Sequence, residues 1–290
     1  MAAIPNKIVA RIISNIKNIQ RRIEKAKERD ISESQTISGV VKPFLIDILG
    51  YDEFEDLTDQ YCVKGTFCDL AIKVNDKPYI MIEAKAINVE LKAAHAKQAK
   101  DYGINSGVKW ILLTNGDEWQ IYKIIFKKDG VSEELVERLK ISEINPKKNE
   151  EDLKKVFYLC KESIAKSDIE NLYAEKVATN KYIIGNLLFK RDTMQTIRKE
   201  LKKMFPDISV GLDVVESMLR DGVIRREIVE SPEATEAQRQ IRKAERKEER
   251  NKTRQGQQEY EPDNGNDFGS GIQEIDQESH KMFDLLTAND

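Results

Sequence analysis

Three side chains carry the strongest chemical suggestion in this chain. Asp69 lies in Gly65-Thr-Phe-Cys-Asp-Leu-Ala-Ile-Lys73, and Glu83 and Lys85 lie in Pro78-Tyr-Ile-Met-Ile-Glu-Ala-Lys-Ala86. Both segments read as strands, where residues two apart share a face. Glu83 and Lys85 therefore project together, and Ile80, Ile82 and Ala84 project to the other side. Turn chemistry at Asn75-Asp76-Lys77-Pro78 joins the segments in a short hairpin, which lets Asp69 lie beside Glu83. Two carboxylates next to an ammonium are costly to bury unless they are paired or bind metal. A divalent cation resolves the repulsion. Mg²⁺ takes one or two carboxylates and completes its shell with water and substrate phosphate; it acidifies the water and polarises a phosphodiester for in-line attack. Lys85 could orient or deprotonate that water, or stabilise charge building on the phosphate. The competing reading is a solvent-facing strand with a Glu83–Lys85 ion pair. With 51 acidic and 48 basic residues in the chain, a bare D…ExK pattern arises by chance about once or more.

The flanking pattern supplies elements to hold these groups. Val9, Ile12, Ile16, Ile19, Ile23 and Ala26 form one apolar stripe on a basic helix over 5–28. It packs on its own domain or, alternatively, mediates a homodimer. Ser32 and Gln35 have capping-box spacing, which opens a helix with Val40, Val41, Phe44, Leu45, Ile48 and Leu49 on its buried face; Gly50 ends it. The period then changes to two. A weak strand is expected over 53–63, firmer ones over 66–74 and 79–86, a polar helix over 90–102, an apolar strand over 110–114, a hairpin at Asn115-Gly116 and a closing strand over 118–126. The fold class is α/β, a mixed sheet flanked by helices.

Composition divides the chain. The expected parts are an N-terminal amphipathic helix (1–29), the α/β domain (30–127), a polar linker (128–150), a helical accessory region (151–230) and a charged tail (231–290). In the accessory region Leu153, Val156, Phe157, Cys160 and Ile164 form one helical face, and Met194, Ile197, Leu201 and Phe205 another. Val223–Val229 could add a strand in the manner of a winged helix. Residues 236–261 alternate basic and acidic blocks, so they form a solvated helix or no fixed structure and contribute no core. The Gly/Asn/Asp-rich stretch 263–271 reads as linker. The apolar residues after it could dock on a protein partner or on the body.

A net charge of −3 neither favours nor excludes nucleic acid. Three cysteines (Cys62, Cys68, Cys160) without metal spacing suggest a reducing compartment, and no stretch reaches membrane-spanning length, so a cytoplasmic protein with no membrane partner is expected. His95 reads as a surface residue and His280 as a tail residue without a partner. Trp110 and Trp119 read as packing, although an exposed Trp119 could stack on a base. The Lys190-Arg191, Arg198-Lys199 and Lys202-Lys203 pairs read as a solvated face that could contact phosphates.

Several segments together resemble the N-terminal nuclease domain of type I restriction enzyme R subunits and its stand-alone relatives. They are Glu33-Ser-Gln-Thr36, Leu45…Leu49-Gly50-Tyr51, Gly65…Asp69, Ile82-Glu-Ala-Lys85, Gln98…Tyr102 and Leu113-Thr-Asn-Gly-Asp-Glu-Trp119…Tyr122. The resemblance covers about residues 30–125 and implies a PD-(D/E)xK fold, Mg²⁺-dependent DNA cleavage and Mn²⁺ as a substitute. It assigns Asp69, Glu83 and the Ala84 carbonyl to the metal and Lys85 to catalysis. Gln98 and Tyr102 match the family's Q-xxx-Y helix and could hold the DNA backbone or the geometry of the site. Glu33 could be a further ligand or water-holder, or simply a favourable anion at a helix N-terminus. The chain departs from R subunits in having no Gly-Lys-Ser/Thr phosphate loop, hence no ATP site. Two rival functions stand beside endonuclease: a DNA-binding or assembly subunit that keeps the fold with an idle site, and an adaptor dimerising through the 1–28 helix.

Overall fold

The computed structural model describes residues 3–63, 65–127 and 130–258. It divides into two compact units, residues up to Ala174 and residues from Glu175 onward. Among the described residues no helix is long and apolar enough to cross a membrane.

The first unit is a six-stranded sheet in sequence order: β1 (Leu57–Val63), β2 (Thr66–Val74), β3 (Lys77–Ala84), β4 (Trp110–Thr114), β5 (Glu118–Lys127) and β6 (Gly130–Lys140). Neighbours are antiparallel except β3 and β4, which run parallel. A parallel pair needs a crossover, and α3 (Ala93–Ser106) supplies it. α3 lies over the face bearing Met81 and Ile111, with Ile104 packed into their cluster. The opposite face carries Trp119, whose ring lies 4.9 Å from Phe44.

β6 corrects the linker expected over 128–150. Its sequence, Gly-Val-Ser-Glu-Glu-Leu-Val-Glu-Arg-Leu-Lys, buries only Val136 and Leu139. An edge strand needs little apolar surface and is protected by charge.

α1 (Asn6–Glu28) buries Ile8, Ile12, Ile16, Ile19, Ile23 and Ala26. Ile12 and Ile19 are wholly covered within the single chain, so this stripe packs on its own unit and is not an open dimer seam. α2 (Glu33–Thr36) opens with the Ser32–Gln35 capping box and continues through wide π turns over Ile37–Val41 and Phe44–Ile48. Arg11 clasps its far end: Nε donates to the Ile48 carbonyl (3.0 Å), Nη2 to the Leu49 carbonyl (3.1 Å), and the guanidinium forks onto Glu162 (2.7 and 2.8 Å). Glu162 lies on α5 (Lys161–Ile164), which follows α4 (Glu150–Phe157). Orphan helix-end carbonyls thus find a donor.

α6 (Ile169–Ala178) leads to the second unit. There α8 (Arg191–Met204) and α9 (Leu212–Met218) pack around a small cluster of Met194, Val215 and Leu219, while α10 (Glu227–Glu230) and α11 (Pro232–Gln258) pack on α7 (Lys181–Leu187). The expected Val223–Val229 strand is instead a π turn over Leu219–Val223 followed by α10. Phe205, placed on the α8 apolar face by the sequence, is half exposed. Residues from 231 are not coreless, since Ala234 and Ala237 are buried at the start of α11. Lys190 pairs with Glu245 and Lys203 with Glu200, so part of the expected basic side is neutralised. Residues 259–290, with the 263–271 stretch, the apolar tail positions and His280, lie outside the described residues.

Candidate active site

The β2–β3 ladder stops at Leu70↔Ile82, and on its other side β2 pairs Asp59↔Leu70 and Tyr61↔Cys68 with β1. Both ladders skip Asp69. Opposite it on β1, Gln60 has φ 47°, a conformation that non-glycine residues rarely adopt. Freed from the ladder, Asp69 uses its side chain in place of backbone: Oδ2 accepts the Ala84 amide at 2.7 Å. That bond fixes the Asp69 carboxylate against the end of β3. The next amide, that of Lys85, donates to the Thr114 carbonyl at 2.7 Å, which extends the β3–β4 pairing by one residue.

Lys85 Nζ donates to Glu83 Oε1 at 2.7 Å and lies 3.4 Å from Glu33 Oε2. Glu83 is 2% exposed. Its second oxygen, Oε2, has no hydrogen-bond partner, and it is the sole buried side-chain oxygen or nitrogen among the described residues in that condition. Burial, followed by the nearby Asp69 and Glu33 charges, pushes the Glu83 carboxyl up to about 7 against the pull of Lys85. Burial likewise raises Asp69, opposed by the Ala84 amide and Lys85. Burial works to lower Lys85, but the Glu83 hydrogen bond and the three surrounding acids raise it on balance, so it stays an ammonium.

The expected residues therefore divide. Asp69, Glu83, Ala84 and Lys85 come together at one end of β2 and β3. Glu33 reaches the group through Lys85. Gln98 and Tyr102 lie on α3, and their side chains lie outside the described residues. His95 accepts the Lys92 amide through Nδ1 and so caps the start of α3. Trp119 is wholly buried and cannot stack on a base. Cys68, beside Asp69, is buried against Met81, and burial raises its thiol to about 12.

Sequence reasoning missed the frame that holds this corner. Asn115 Nδ2 donates to the Val89 carbonyl (2.9 Å), which ties the β4–β5 turn to the segment after Lys85. Buried Asp117 pairs with Lys27 and accepts the Ser142 amide (2.8 Å) and hydroxyl (2.9 Å). Gly116 has φ 88°, and an added Cβ would lie 3.0 Å from Val40 and 3.2 Å from Thr36. This close approach seats α2, and with it Glu33, near the end of β3. The Thr-Asn-Gly-Asp string was the available signal, but its visible use was only as a turn.

Residues 42–137 match the type I restriction enzyme R protein N terminus. The matched stretch, about a third of the chain, holds Asp69, Glu83, Ala84, Lys85, Gln98 and Tyr102 and leaves out Glu33 and α1. The R-protein N-terminal match thus falls on the sheet and its crossover helix and marks them as a restriction-enzyme-related module. No curated protein and no solved structure matches the chain.

The donor set fits a hard divalent cation. An orphaned buried carboxylate oxygen beside a second carboxylate is a costly arrangement that a cation relieves. Among the described residues no group of three or more His, Cys, Asp or Glu side chains gathers as metal ligands. A cation here would depend on two carboxylates completed by backbone oxygen, water and phosphate, which suits Mg²⁺.

Proposed function

We propose that the first unit is a Mg²⁺-dependent DNA endonuclease of the restriction type, with Asp69, Glu83 and the Ala84 carbonyl holding the cation. The half-satisfied carboxylate of Glu83 carries this reading. Mg²⁺, or Mn²⁺ in its place, supplies an acidified water and a polarised phosphodiester. Lys85, an ammonium held between Glu83 and Glu33, presents positive charge where a phosphate would gain negative charge. Glu33 orients Lys85 from the α2 side and is a candidate for holding water. Asp69 is locked by the Ala84 amide, so its carboxylate is preorganised before substrate arrives. Gln98 and Tyr102, one helical turn apart on α3, are assigned to the DNA backbone.

With Mg²⁺, the purified protein is expected to cut plasmid DNA. Asp69→Ala and Lys85→Ala should each slow cutting by about a hundredfold or more while circular dichroism stays that of the wild type. Calorimetric titration with Mn²⁺ should give binding heat that Asp69→Ala abolishes. Both variants cutting at the wild-type rate would remove the assignment. Salt-sensitive DNA binding with neither cutting nor metal heat would identify a binding subunit instead.

A further inference from the structure

α1 has a second face that the fold does not use. Residues 6–29 carry eight basic side chains and two acidic ones, Glu24 and Glu28, in a chain whose net charge is −3. The buried stripe accounts for the isoleucines. About 120° around the helix from that stripe, Asn18, Arg21, Arg22, Lys25 and Arg29 follow three-four spacing, with Lys7 on the same side eleven residues earlier, and all six are exposed. Side chains so spaced lie along one side of a helix. Among the described residues Lys7, Arg21, Lys25 and Arg29 form no ion pair, and the contact of Arg22 is to the Gly39 carbonyl at 3.4 Å. Glu24 and Glu28 lie opposite the stripe and border this row, next to Arg21 and Lys25, by the same 3.6-residue geometry.

The row ends at the candidate active site. Asn88, three residues past Lys85, donates to the Lys27 carbonyl (3.1 Å) and to Asp30 Oδ1 (2.8 Å). Lys27 itself pairs with Asp117. Glu33, whose carboxylate meets Lys85, follows Arg29 by four residues. From Arg29 the row runs back to Asn18 over about 17 Å, and to the isolated Lys7 over about 33 Å, at ~1.5 Å per residue. The longer span is close to one turn of duplex DNA, about 34 Å.

We infer that this exposed face of α1 is a docking surface for the phosphate backbone of double-stranded DNA flanking the point of cleavage. Charge complementarity selects the partner. A one-signed row fixed to the reactive corner can hold backbone phosphates without reading bases, which positions DNA without specifying sequence. α1 lies outside the matched stretch 42–137, so this surface is an addition to the module. The inference rests on the nuclease reading for the position of the cut, but not for the binding itself.

The test uses the full chain and a fluorescent 30-base-pair duplex with Ca²⁺ in place of Mg²⁺, with affinity measured across a salt series. Replacing Arg21, Lys25 and Arg29 together by Gln should weaken binding about tenfold or more at ~0.1 M salt and lower the slope of log affinity against log salt by about 2 to 3. The thermal midpoint should not move, because these side chains are exposed and form no ion pair among the described residues. Lys85→Ala, which removes one charge at the cut itself, should lower the slope by no more than about 1. If neither wild type nor variant cuts DNA but the slope still falls, the docking surface stands and the nuclease reading fails. If wild type cuts and the triple variant keeps its affinity and slope, the inference is overturned. It is equally overturned if the substitutions release the protein from phosphatidylserine vesicles and leave DNA binding unchanged.

Discussion

Two lysine–glutamate pairs in the first unit use the same groups to opposite ends. Under α6, Lys123 bonds to Glu170, and the other oxygen of that carboxylate accepts the Trp110 indole N–H at 3.0 Å. The Lys123 ammonium also lies over the Tyr173 ring at 4.0 Å. Every strong group there is answered. At the end of β3, Lys85 bonds to Glu83, but the second Glu83 oxygen is answered by nothing among the described residues. Burial lowers Lys123 despite Glu170, whereas the acids around Lys85 outweigh burial and raise it. The first pair completes a core. The second retains acceptor capacity and a surplus of negative charge, which is what a cation or a phosphate-binding step requires.

The comparison breaks most visibly where one partner is removed. Glu170→Ala takes the carboxylate from buried Lys123 and the acceptor from Trp110, and should cost about 3–5 kcal/mol of unfolding free energy in urea titrations. Glu83→Gln should do the reverse in metal-free protein near pH 8. Below pH ~4.5, the ordinary carboxyl value, Glu83 is protonated in both folded and unfolded chains. Between there and about 7 the unfolded chain ionises first, so this residue's contribution to stability falls as pH rises, and above about 7 the loss is complete. The variant should remove that slope and be more stable by about 2–4 kcal/mol at pH 8, at roughly 1.4 kcal/mol per pKa unit. A wild-type stability profile flat between pH 4 and 8 would show the two pairs to be alike.

Smaller changes sharpen the contrast by loosening the frame alone. Gly116→Ala, which forces a Cβ at φ 88° against Val40 and Thr36, should lower stability by about 1–3 kcal/mol and reduce cutting by displacing Glu33. Ser32→Ala removes the cap of α2 and should cost about 1 kcal/mol, read from the urea midpoint. It should leave the Lys123 corner untouched.

What was legible follows from how much apolar surface each element buries. β2, β3 and β4 are central and carry continuous or alternating hydrophobic residues, so their pattern announces them. The Ser32–Gln35 cap is a local device and was equally plain. β6 was hidden because an edge strand carries charge on purpose. At the site, parity alone put Glu83 and Lys85 on one face. It could not show that Asp69 leaves the ladder to hold the Ala84 amide, that Gln60 takes a left-handed conformation opposite, or that one Glu83 oxygen is stranded. Those features arise from long-range packing, which no single segment encodes.

The Arg11 clasp has a consequence for how this protein can be cut into pieces. One guanidinium fastens residue 11 to residues 48–49 and to residue 162. The smallest self-sufficient body therefore reaches well past both borders of the 42–137 match. A recombinant fragment trimmed to those borders would lose the isoleucine ridge of α1 and the anchor for the α2 carboxyl end, and would expose a greasy trough in their place. Expression boundaries are better set near residues 3 and 178, which keeps α6 whole.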